Sequence, residues 1–71
     1  MDIFSKVCAF IHELVGVPVE EITLESTPQQ LKMDRFDVEE LVLDLEDEFD
    51  VLIDDDSCAT INDLVDRVKA A

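Results

Sequence analysis

Apolar residues recur at steps of three and four from Ile3 to Val15: Ile3, Phe4, Val7, Cys8, Phe10, Ile11, Leu14 and Val15. That spacing predicts an amphipathic helix with one broad buried face. Gly16 stands where a left-handed cap would close it, and Pro18 discourages continuation. A second stripe, Val38, Leu41, Val42, Leu45 and Phe49, predicts another helix. Asp34 is placed to cap its start, with Asp37 three residues on, where a capping-box carboxylate belongs. A third stripe, Ile61, Leu64, Val65 and Val68, follows Thr60, itself a candidate cap, and turns Asn62, Asp63, Asp66, Arg67 and Lys69 outward.

The stretch 17–33 has no such period. Val19, Ile22, Leu24 and Leu31 are expected to pin it as apolar anchors, and Ser26, Thr27 and Pro28 to begin a short helical turn. The pattern as a whole predicts an all-α bundle of three principal helices, forming a single domain over residues 1–71. A chain of this length buries only about 60–65% of the surface it exposes when unfolded, so a compact core leaves no room for a deep catalytic cleft.

Charge changes the picture. There are 19 acidic residues against 5 basic ones, a formal net charge of −14. Such a field repels nucleic acid and anionic membranes and speeds encounters with basic protein patches. The second helix concentrates it, with Asp37, Glu39, Glu40, Asp44, Glu46, Asp47 and Glu48 on its polar faces and Asp50 at its end. Early carboxylates suit the positive end of the helix dipole, whereas those of the last turn oppose it by a few tenths of a kcal/mol each, roughly. Helix stability does not account for them, and cationic protein partners are the expectation.

Candidate chemistry is sparse. Cys8 falls on the first apolar stripe and reads as a small core hydrophobe, and His12 beside it reads as a surface histidine. Cys8 and Cys58 make neither a disulfide framework nor a zinc site. The alternating carboxylates from Asp44 to Asp56 invite a calcium-loop reading, but that register puts Phe49 where the loop needs its turning glycine. An acidic calcium-binding or adaptor module is therefore the remote alternative. With one histidine, no tyrosine and no Gly-rich loop, no enzyme and no catalytic residue is expected. No stretch approaches a membrane span and no cleavable signal is visible, so a reducing setting, cytoplasmic or organelle matrix, and a monomer are expected.

The segment LKMDRFDVEELVLDLEDEFDVLI, Leu31 to Ile53, resembles the second-helix signature of acyl carrier proteins, in which Asp-Ser-Leu-Asp opens a helix that ends in Glu-Glu-Phe-Asp. The first helix, the anchored connection and the closing helix fit that family too, so the resemblance covers nearly the whole chain. It implies a bundle of three principal helices, with or without a short fourth, that presents acyl chains tethered through 4′-phosphopantetheine to the enzymes of fatty-acid, polyketide or related lipid synthesis.

On this resemblance Asp34 matches the Asp before the family's attachment serine, Phe36 its Leu and Asp37 its second Asp, while Glu40, Leu43, Glu46 and Asp47 match positions that meet basic patches of carrier-dependent enzymes. With Arg35 and Asp44 these residues form the expected partner-binding surface. Arg35 itself stands at the serine position, and a guanidinium offers no oxygen for a phosphodiester. The resemblance thus implies a carrier-like protein that keeps its docking helix and has no cofactor at the usual site. The alternative is an ordinary acyl carrier protein whose attachment serine was substituted by Arg. Neither Ser26 nor Ser57 lies in a matching context, and the segment from Asp54 to Ala59 is about three residues shorter than the family's, which puts the short extra helix in question.

Overall fold

The computed structural model describes residues 2–53 and 59–70. Its elements are α1 (Ile3–Val15), a short 3-10 turn (Val19–Glu21), α2 (Arg35–Phe49) and α3 (Ile61–Ala70), and no strand occurs among the described residues. The all-α expectation holds. The short extra helix, which the resemblance left in question between Asp54 and Ala59, falls mostly on residues 54–58, outside the described ones.

Each helix forms where its caps and its stripe agree. Asp2 starts α1 by accepting the Phe4 N–H, and Gly16, at φ 77°, closes it by returning its N–H to the carbonyl of His12. A positive φ of that kind is where glycine avoids the steric penalty of a Cβ. His12 is exposed, and its Nδ1 lies 2.9 Å from the Val17 carbonyl, just beyond the cap. The three stripes converge on one core in which Val7, Ile11, Leu41, Leu45 and Ile61 are fully buried. Each aliphatic side chain so buried contributes about 1.5–3 kcal/mol. Cys8 is part of this core, and burial, with the charge of Asp2 adding to it, pushes its thiol up from the ordinary range. It packs as a hydrophobe and is poorly suited to nucleophilic work.

The connection between α1 and α2 departs from its expected anchoring. Ile22, Leu31 and Met33 are buried, but Val19 and Leu24 remain 42% and 39% exposed. Leu24 contributes through its backbone. Its carbonyl receives the N–H of Asn62 at 2.8 Å, and the Ser26 carbonyl receives that of Ile61 at 3.0 Å. These are first-turn donors of α3 with no partner inside the helix. The connection is thus held by a seam of backbone hydrogen bonds to the start of α3 as well as by side chains. Between them, Thr27 and Gln30 exchange side-chain-to-backbone bonds of 3.1 and 3.2 Å around the expected turn at residues 28–32.

The acidic face of α2

Asp34 is extended, at φ −88° and ψ −176°, and its carboxylate accepts the Asp37 N–H at 2.9 Å. Asp37 reaches back to accept the Asp34 N–H at 3.2 Å. This reciprocal box satisfies two of the orphan donors at the head of α2 and fixes the direction in which the helix leaves. Arg35, the first helical residue, projects into solvent with its side chain 87% exposed and Nε 3.7 Å from Oε1 of Glu39. A pair this exposed is worth between nothing and about 1 kcal/mol. It offsets in part the cost of placing a cation at the positive end of the helix dipole.

Further along, the 3.6-residue period decides what faces outward. Phe36, Glu40, Leu43 and Asp47 follow one another at steps of four, three and four, which keeps them on one side, while Leu41, Val42 and Leu45 carry the other into the core. Phe36 is 76% and Leu43 61% exposed, large apolar groups left in water between carboxylates. Asp44 and Glu46 sit half-buried on the two flanks of this face. The structure therefore brings Phe36, Glu40, Leu43 and Asp47 together, sets Arg35 with Glu39 beside them, and uses Asp34 and Asp37 as the cap. Glu46 has a partner inside the chain, the Ile53 N–H at 2.8 Å. On the core side of the rim, Lys6 of α1 meets Glu48 at 3.5 Å and lies 5.9 Å from the centre of the Phe10 ring.

Two features escaped the sequence reading. Asp50 closes α2 in the left-handed region, at φ 54° and ψ 52°, a conformation usually supplied by glycine. Leu52, just beyond it, is 90% exposed. The run Val51, Leu52, Ile53 has no period from which the outward residue could be chosen, although a continuous apolar triplet after an acidic helix is itself a signal. Among the described residues no group of His, Cys, Asp and Glu is placed to hold a metal ion, and no described helix is long and apolar enough to cross a membrane.

The helix is thus headed by an Asp box, acidic along its exposed face and packed on α1. Residues 5–68 match the phosphopantetheine attachment site family. The chain is 39% identical over 70 residues to the acyl carrier protein of Lactococcus lactis subsp. cremoris (strain MG1363), covering 97% of this chain and 96% of that one. It is likewise 39% identical over 70 residues to the acyl carrier protein of Streptococcus pyogenes serotype M1, covering 97% and 95%. The chain belongs to the acyl carrier protein family, whose members are carriers and not catalysts.

Proposed function

We propose that this protein is an acyl-carrier-protein relative of fatty-acid or polyketide synthesis that docks on basic patches of carrier-dependent enzymes through α2 and carries no 4′-phosphopantetheine at the family's attachment position. The family as a whole implies that group. The observation that carries the reading is the head of α2, where the capping box is fully formed around a side chain without an oxygen, Arg35. A phosphodiester needs a hydroxyl at that point, and a guanidinium stays protonated and donates only. The other described hydroxyls are engaged elsewhere. Ser5 bonds Asp2, Ser26 is buried and bonded to Thr23, Thr27 caps the turn at residues 28–32, and Thr60 caps α3. The described residues at the head of α2 offer the group no hydroxyl.

The exposed face supports docking. Phe36 and Leu43 supply apolar contact, and Glu40, Asp47 and their neighbours supply the charge that steers a cationic surface and fixes register. Arg35 is the only cation on α2 and would stand opposite whatever a partner uses to approach the attachment position.

The test is modification by a phosphopantetheinyl transferase with coenzyme A, read by intact mass, on this chain and on Arg35→Ser. We expect the variant to gain one phosphopantetheinyl group and the unaltered chain none. Modification of the unaltered chain would overturn the unloaded reading. If Arg35→Ser also stays unmodified, the surface that carrier-recognising enzymes read has been lost along with the serine.

A further inference from the structure

Arg35 is a cation set among anions at a place where the helix gains nothing from it. It is the only basic residue of α2, it stands at the positive end of the helix dipole, and its side chain is 87% exposed. Oε1 of Glu39 lies 3.7 Å from its Nε, beyond hydrogen-bond distance, so that pairing commits none of the guanidinium's N–H donors. Asp34 and Asp37, the carboxylates nearest it in sequence, are each engaged by the other's backbone N–H in the capping box. The planar fork of Arg35 is thus available for a bidentate contact of the kind a carboxylate makes. Phe36 beside it is 76% exposed, an apolar group that keeps water from such a contact once a partner covers both.

We propose that Arg35 selects the partner, by seating against a carboxylate that the partner presents in the middle of a basic surface. The inference rests on the docking reading and adds what that reading leaves open, the group that meets the guanidinium. Charge separates this occupant from the others. Asp34, Asp37 and Glu39 surround Arg35 on a chain of net charge −14, so free phosphate, an anionic lipid surface or a second copy of the chain is repelled before it arrives. A uniformly basic surface suits those carboxylates but leaves Arg35 facing like charge, which costs most where water is excluded. An anion carried on a cationic scaffold satisfies both signs. Arg35 is in this reading a specificity-determining residue, which favours such partners and rejects uniformly basic ones.

Two synthetic Lys-rich helical peptides, alike except for Glu or Gln at the central position, test this by calorimetric titration into the full chain at low salt. Glu lowers the positive charge of its peptide, so attraction to the chain as a whole favours the Gln peptide. We expect the reverse order, with the Glu peptide binding about fivefold more tightly. Arg35→Gln, which removes the charge and keeps a long polar side chain, should restore the order that net charge sets. Lys69→Gln, which removes an exposed cation from α3, should leave the Glu preference in place. Equal binding, or tighter binding of the Gln peptide by the unaltered chain, would overturn selection by Arg35 and leave charge-driven docking intact. So would a Glu preference that survives Arg35→Gln, or one that Lys69→Gln abolishes. Absence of binding by either peptide would sink the docking reading with it.

Discussion

Helices α2 and α3 solve the same packing problem with opposite uses of charge. In α3 every charge near an end has a local reason. Asp63 in the first turn accepts the N–H groups of Ala59 and Thr60 at 2.8 and 3.0 Å, and Arg67 and Lys69 lie in the last turn, where the dipole favours cations. In α2 the first turn is equally well made, but the last turn holds Glu46, Asp47 and Glu48 and no cation at all. Exposed apolar groups divide in the same way, with Phe36 and Leu43 on α2 and none of that size on α3. The contrast teaches how to separate two kinds of residue. Where charge and burial agree with the helix, they serve the fold; where they oppose it on an exposed face, the fold does not explain them.

The largest effects should come where the two helices are alike. Leu45→Ala on α2 and Ile61→Ala on α3 both empty fully buried sites, and each should cost about 2–5 kcal/mol in chemical denaturation. A loss below about 1 kcal/mol at either would mean that the helix is not bound into the shared core. Thr60→Ala comes next. Its hydroxyl accepts the Asp63 N–H at 3.3 Å, and loss of such a cap costs about 1 kcal/mol.

The capping carboxylate beneath it gives a pH signature. Hydrogen bonds from the backbone of Ala59 and then Thr60 hold the Asp63 carboxyl below its ordinary range. A depressed folded value means that the unfolded chain takes up this proton first. The stability it lends is therefore full above the unfolded value, about 3.9, and is lost as pH falls from there through the folded one. Asp63→Asn should consequently be destabilised near neutral pH and converge on the unaltered protein at strongly acid pH, followed by thermal melts across that range. A constant difference at all pH values would contradict the assignment.

The same division runs through what was legible in the sequence. The starts of the helices were written locally, in Asp34 with Asp37 and in Thr60, and the end of α1 in Gly16, because caps are short-range chemistry between residues three or four apart. The buried stripes followed from period alone. The end of α2 at Asp50 was legible, but its left-handed conformation was not, since Glu46 holds it rather than its own residue type. Nor was the exposure of Val19 and Leu24, for hydrophobicity cannot tell a side-chain anchor from a residue that contributes its carbonyl to another helix. Of the candidate site, pattern gave an acidic helix and no more; the resemblance to a family added the proposed attachment position at Arg35 and the proposed docking carboxylates. Leu52 lay in an apolar triplet whose outward member is set by one long-range bond, Glu46 to Ile53.

The smallest expected effect tests the comparison most directly. Asp47 is exposed in the last turn of α2 and opposes the dipole there. Asp47→Lys should therefore stabilise the fold, by about 0.3–1 kcal/mol at low ionic strength, an increment that added salt removes. Lys69→Glu, the mirror change in the last turn of α3, should destabilise it by a similar amount under the same conditions. Binding should order the two variants differently. Asp47→Lys should weaken association with a cationic partner and flatten its salt dependence, whereas Lys69→Glu, which lies off the α2 face, should leave it nearly unchanged. A protein made more stable and less able to bind by one substitution would place that carboxylate on the side of the partner. If Asp47→Lys lowered stability as Lys69→Glu does, the acidic tail of α2 would have a structural role after all, and the difference between the helices would lose its functional meaning.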